Sequence, residues 1–331
     1  MSARERWLLV GLGLLTALLF AASILLGRGW SPIWGDLQAV AALDRQLAWL
    51  ILEEVRLPRA ALGLMVGAVL GLTGAVLQGL LRNPLAEPGL IGASNGAALG
   101  AVVVFYFGLA SAGALAVAMG GVIGAVAALA LLFVLAGGLA SVTTVILAGV
   151  AISAFAGAMT SFALNMAPNP YAALEIVFWM MGSLTDRSLP QLAFAAPFML
   201  VGCMAAASTG RALDALSLGE DTAASLGFSL TALKLRAIFG AGLAVGAAVS
   251  VTGAISFVGL VVPHLIRPFV GHSPSRLLLP SALGGACLVL AADLLVRLPT
   301  AGAEPKIGVV TAGLGAPFFL YLIFKLRREA L

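Results

Sequence analysis

Apolar residues run along this chain in long blocks broken by short polar punctuation, not in the alternation of a half-buried strand or the striped spacing of a soluble helix. Ten blocks approach or reach the roughly 20 residues that carry a helix across a bilayer. They lie at about Trp7 to Leu26, Ala60 to Leu81, Ala93 to Leu109, Ala114 to Leu135, Val142 to Met166, Leu192 to Ser208, Leu230 to Val251, Ile255 to Val270, Leu277 to Val296 and Gly308 to Leu326. The first follows a basic start, as a signal peptide would, but its apolar run is too long for a signal-peptide core and predicts an uncleaved span. Tyr171 to Met181 is too short to cross and predicts a partial or re-entrant helix, tolerated only where protein or a water-filled cavity supplies its partners. The pattern predicts an all-α polytopic membrane protein of about ten transmembrane helices.

Composition sharpens that picture. With 61% hydrophobic residues, 10% charged residues and a mean hydropathy of +1.10, the chain lies outside the soluble range, where roughly a quarter of residues are charged. Its 40 glycines suit helices that associate in lipid by close backbone approach. A net charge of +4 then reports topology before any nucleic-acid partner, and none is expected. Cys203 and Cys287 both sit in apolar runs, which fits small buried side chains and not a disulfide framework.

Sliding the sequence against itself by 179 positions pairs Gly63 with Gly242, Val66 with Val245 and Gly67 with Gly246. The same offset pairs Thr73, Gly74 and Ala75 with Thr252, Gly253 and Ala254, Pro84 with Pro263, and Gly92 with Gly271. One register that also superposes two prolines predicts a duplicated unit. The repeat halves fall at about 56–166 and 230–326 within a single transmembrane domain, 1–331. Basic residues set the direction: with ten spans, eleven Lys and Arg share the side of the termini and seven, among them Arg45, Arg56, Arg59, Arg187 and Arg297, lie on the other. Both termini are therefore expected in the cytoplasm. The second and seventh helices then run in opposite directions, which makes the repeat inverted and suited to alternating access.

Three polar constellations remain. On the outer side, EEVRLPRA holds Arg56 and Arg59 beside Glu53 and Glu54, and Arg297 ends the ninth span. Their residues alone leave two readings open, a docking surface or local anchoring, since Asp293 and Arg297 have the acid-then-base helical spacing of an ion pair. On the inner side, the linker at about 211–229 brackets Glu220 to Leu226 with Gly219 and Gly227, with acids where a helix dipole favours them. Two inner-face turns, RNPLAEP (Arg82 to Pro88) and GGLASVTT (Gly137 to Thr144), break their helices with proline and glycine. Asp293 is the one acid well inside a span, for which pairing with Arg297 is the plainer reading. Arg187, after the partial helix, could meet an anionic group or a surface partner. His264 and Arg267 fit structural hydrogen bonds, and the methionines between Met159 and Met204 fit core filling.

No Walker A pattern, HExxH or CxxC cluster occurs, so any ATP must be bound by another chain and no metal site is expected. An ion-coupled secondary transporter is the alternative that inverted repeats equally permit, and it would need buried titratable groups.

FVGLVVPHLIR (Phe257 to Arg267), LLRNPLAEPGLIGASNGAALG (Leu80 to Gly100) and IGVVTAGLGAPFFL (Ile307 to Leu320) resemble the FecCD-type permeases, membrane subunits of bacterial ABC importers for ferric siderophores, haem and cobalamin. The likeness covers nearly the whole chain in order. It implies a type II ABC importer permease in the bacterial plasma (inner) membrane, working as a homodimer with two ATP-binding cassette subunits and a periplasmic or lipid-anchored substrate-binding protein. Mg-ATP would be bound by the partner ATPase, with no cofactor in this chain. The resemblance further implies that Arg56, Arg59 and Arg297 dock the binding protein. It gives Gly219, Glu220, Asp221, Ala224 and Gly227 the coupling to the ATPase, and Asn83, Leu85, Ser141, Val142 and Thr143 a cytoplasmic gate. DRS after the GSL motif looks like haem permeases, so haem is favoured and Arg187 is a possible substrate contact.

Overall fold

The computed structural model describes residues 3–30, 49–137, 141–298 and 302–329. Arg45, counted above on the outer side, and residues 138–140 of the second inner-face turn lie outside them. The helices are α1 (Ala3–Leu25), α2 (Leu57–Leu80), α3 (Ala93–Tyr106), α4 (Ala116–Leu135), α5 (Val142–Asn165) and α6 (Pro170–Met180), then α7 (Leu189–Ala207), α8 (Gly210–Leu216) and α9 (Glu220–Ser225). They continue with α10 (Leu230–Thr252), α11 (Val258–Ile266), α12 (Pro274–Val296) and α13 (Ile307–Glu329). A π-helical turn, Ile51–Arg56, leads into α2.

Among the described residues, seven stretches are long and apolar enough to cross a membrane: α1, Ile51–Leu80, α4, α5, Leu189–Leu216, α10 and α12. Of the other three expected spans, α3 and α11 are shorter apolar helices, and α13 is apolar over Ile307–Leu322. The partial helix expected near Tyr171 is α6. Backbone geometry explains the shortened elements. Gly92 and Gly108, at φ 78° and 68°, bound α3 in conformations that end a right-handed helix. Where one span was expected from Ile255, the chain leaves α10 at Gly253 (φ 72°), runs unwound to Phe257 (φ 68°), and only then starts the nine-residue α11.

The centre of the bundle is α2, α10 and α12. In its most apolar stretch α10 is 83% buried, against 11% for α1. Lipid tails are as apolar as leucine, so what holds such helices together is close packing. At the α2–α12 crossing a Cβ on Gly71 would overlap the Ser281 carbonyl, and one on Gly285 the Gly67 carbonyl. Glycine is what lets these backbones touch.

Helix α1 buries little yet is fastened along its length. Glu5 pairs with Arg276 at 2.9 Å, and the Thr16 hydroxyl meets Cys287 Sγ at 3.1 Å. At its C-terminal end Arg56 Nη1 donates to the Ile24 and Leu25 carbonyls at 3.0 and 3.1 Å. Arg297 Nη1 donates to those of Ser23 and Leu26, both at 2.7 Å. Guanidinium groups thus occupy carbonyls that a helix terminus leaves without intrahelical partners. α2 and α10 run in opposite directions: α2 begins at this charged end and finishes against Leu213 and Pro274, whereas α10 begins beside α9 and finishes against Trp179 and Gly182.

Candidate functional site

At one end the chain gathers Arg59, Asp293, Arg297 and Glu304. The Asp293 carboxylate, 1% exposed, receives Arg59 Nε at 3.0 and 3.2 Å and is paired with Arg297 Nη2 on its other side. Arg59 Nη2 reaches Glu304 Oε2 at 2.9 Å, and the Thr185 hydroxyl donates to the same oxygen at 3.1 Å. Two guanidiniums face two carboxylates, so the cluster closes its charge within the chain. Burial pushes the Glu304 carboxyl up, but the hydrogen bond and charge of Arg59 outweigh it and hold the group below the usual carboxylate range. Arg56, Arg59 and Arg297 are all buried, and each has acceptors in its own chain. The Asp293–Arg297 pair expected from spacing is present.

Arg187 lies near this end, half-buried, its Nε donating to the Ser183 carbonyl at 3.4 Å. Burial lowers its pKa and neighbouring Asp186, itself at φ 59°, opposes that shift.

The opposite end carries α9. Gly219 at φ 117° and Gly227 at φ 86° bracket it, so the glycine framing read from sequence encloses a short helix. Glu220, Asp221 and Ala224 are exposed while Ala223 packs inward. Lys234 of α10 reaches Glu220 at 3.8 Å, a loose contact with a half-exposed carboxylate.

The inner-face turns are locally capped. Asn83 Oδ1 accepts from the Leu85 N–H at 2.9 Å, and Ser141 Oγ caps α5 by accepting from the Thr144 N–H at 3.0 Å. Leu85 lines a chamber of about 560 Å³ between α3, α5, α10, α11 and α13; Ser141, Val142 and Thr143 do not.

That chamber holds a residue the sequence reading passed over. Glu87 lines it together with Ser94, Asn95, Ser153 and Ser256, beside apolar Val150, Val249 and Phe319. Burial raises the pKa of the Glu87 carboxyl, partly offset by a hydrogen bond from the Phe257 backbone. Gln78 ties the same turn to α11, its Nε2 donating to the Gly259 and Leu260 carbonyls at 3.2 and 3.3 Å while Oε1 accepts from Arg267 at 2.5 Å. Phe257 in turn packs on Gly315 of α13. The available signal was an acid between Ala86 and Pro88, in a turn flanked by two spans. Among the described residues, no group of three or more His, Cys, Asp and Glu could hold a metal ion.

The family description "FecCD transport family" matches residues 15–325. The chain is 39% identical over 285 residues to the hemin transport system permease protein HmuU of Yersinia pestis, covering 85% of each chain. It is 36% identical over 324 residues to the vitamin B12 import system permease protein BtuC of Klebsiella pneumoniae, covering 98% of this chain and 95% of that one. A solved structure described as an inward-facing conformation of a metal-chelate type ABC transporter superposes with a TM-score of 0.82 at 33% identity, covering 97% of this chain and 99% of that one.

Proposed function

Because the chain belongs to the FecCD transport family, we propose that it is the membrane permease subunit of an ATP-driven importer for an iron chelate or corrinoid, with haem favoured. The observation that carries this reading is the family match from residue 15 to 325, since it spans the bundle, the α9 linker and both inner-face turns in a single order. Relatives named for hemin and for vitamin B12 support a large metal chelate as cargo. The preference for haem rests on Arg187 in the DRS segment, where a guanidinium could grip a propionate.

In this reading two copies enclose the pathway and alternate access to it. Exposed apolar side chains on α5, α6 and α13, including Phe155, Phe162, Leu174 and Tyr321, support a face for the second copy. Two ATP-binding cassette subunits hold Mg-ATP and seat α9 through Gly219, Glu220, Asp221, Ala224 and Gly227; the exposure of these acids on a glycine-framed knob supports that role. Asn83, Leu85, Ser141, Val142 and Thr143 narrow the pathway on the same side, which is the cytoplasmic side with both termini. Arg56, Arg59 and Arg297 receive a periplasmic or lipid-anchored binding protein. Their internal partners mean that docking requires acids of the partner to share or displace those contacts. Each state must be favoured by a differential contact, nucleotide on one side and loaded binding protein on the other.

The test is uptake into proteoliposomes holding this chain with its ATPase and binding protein, offered hemin, a ferric siderophore or cyanocobalamin. Accumulation of one cargo that requires ATP is expected, with hemin preferred. Uptake that persists without ATP and collapses with the proton gradient would replace this reading with ion-coupled transport. Charge reversal of Arg56 should weaken capture of the binding protein while ATPase assembly stays intact; unchanged capture removes the docking role.

A further inference from the structure

At the α9 end, a cavity of about 320 Å³ opens between the foot of α7 and α8 and the first turns of α10. Arg211 and Arg236 line it, together with Ser208, Thr209 and Ser229 and the Gly227–Phe228 link that leaves α9. Both arginines are exposed, and neither has an ion-pair partner among the described residues. The neighbouring cation, Lys234, is committed to Glu220. The hydroxyls of Ser208 and Thr209 donate to the Ala205 and Ala206 carbonyls, and Ser229 Oγ accepts from the Ala232 N–H. The two guanidiniums are therefore the groups left with unused donors.

The position of the arginines points to what they meet. α7 and α10 pack against each other, and both expose apolar side chains beside the cavity: Leu200, Val201 and Met204 on α7, Leu235 and Phe239 on α10. Arg211 follows Met204 by seven residues, in the first turn of α8 beyond the Ser208–Thr209 turn that ends α7, and Arg236 precedes Phe239 by three on α10. Both arginines thus lie beside exposed apolar side chains, a position that suits the boundary between hydrocarbon and headgroups. We propose that this cavity binds the phosphate of an anionic phospholipid, whose acyl chains lie along the exposed α7–α10 face. Basic pockets between membrane helices take such headgroups on the side with excess positive charge, and guanidinium matches phosphate oxygens with paired hydrogen bonds. Charge complementarity disfavours the ATPase as occupant, because a surface shaped to the acids of α9 would itself be basic there. The lipid would brace the Gly227–Phe228 link and so the knob above it.

The experiment uses the full chain in detergent, followed by thermal shift and native mass spectrometry. Phosphatidylglycerol should raise Tm and be retained as a bound adduct, whereas phosphatidylcholine and inorganic phosphate should not. In the double variant Arg211→Gln, Arg236→Gln the apparent affinity should fall by about twenty-fivefold, from about a factor of five per arginine. The control Arg6→Gln should behave as the unaltered chain. Equal stabilisation by phosphatidylcholine, an equal shift from phosphate alone, or undiminished binding in the double variant would each overturn the assignment. Should the double variant fail to fold, a photoreactive phosphatidylglycerol on the unaltered chain decides: labelling within 208–212 and 227–236 supports the site, and labelling elsewhere defeats it. Displacement of the bound lipid on adding the ATPase subunit would assign the cavity to that interface instead.

Discussion

The two ends of this molecule use the same residue types to opposite effect. Around Asp293, arginines and carboxylates are buried and neutralise one another inside the chain; around α9, acids and arginines stand exposed with at most one loose contact. Burying a charge is costly unless it is paired, so the first arrangement must be complete to fold at all. Exposed charges cost little alone, and the second arrangement can wait for something outside the chain. Where charge is closed it locates helices, and where it is open it stays available.

The harshest way to break this contrast is Asp293→Asn, which leaves Arg59 and Arg297 buried without their shared carboxylate. A loss of about 3–5 kcal/mol is expected, seen as a large fall in Tm in detergent or failure to accumulate in membranes. A Tm within a degree or two of the unaltered chain would mean that the cluster holds nothing. Glu304→Gln should cost less, about 1.5–3 kcal/mol for a hydrogen bond to a charged group. Because the Glu304 pKa is depressed in the fold, its contribution is present above the ordinary carboxylate range and is lost as pH falls through the folded-state value. Tm followed from neutral to acid pH should therefore drop more steeply in the unaltered chain than in the variant.

Glu87→Gln sharpens the comparison with a carboxyl of the opposite sign. Its raised pKa means the folded state loses stability as pH rises from the ordinary carboxylate range to the raised value. The variant should be at least as stable at neutral pH, and a lower Tm there would contradict the assignment. The smallest effect on stability belongs to Glu220→Ala, about 1 kcal/mol or less for a loose pair between buried Lys234 and a half-exposed carboxylate. Under the proposed function the same change should lower ATP-driven uptake, so unchanged Tm with reduced flux is the expected pairing. Unaltered flux would detach α9 from coupling.

Hydropathy made the long helices legible because bilayer thickness fixes span length, and α1, α4, α5, α10 and α12 lie close to the blocks read from sequence. The short elements were misjudged for a definite reason. Ile255 to Val270 is apolar enough to span, but Gly253 and Phe257 adopt left-handed backbone that hydropathy cannot register. The Asp293–Arg297 pair was visible from its spacing, and α9 from its two glycines. Bringing Arg59 to Asp293 needs contacts 234 residues apart in sequence, which no local pattern contains. Glu87 was missed because a turn residue is assumed to face solvent, whereas this turn folds back against α11.

Arg276, in the first turn of α12, and Arg297, which caps its C-terminal end, each hold one end of α1. They are 21 residues apart, roughly 32 Å at the helical rise, close to the thickness of a hydrocarbon core. The outermost helix is therefore stapled to a central one at both water boundaries. A shift of α12 would carry α1 through the surrounding lipid, and a change in membrane thickness would pull on the interior through those two arginines.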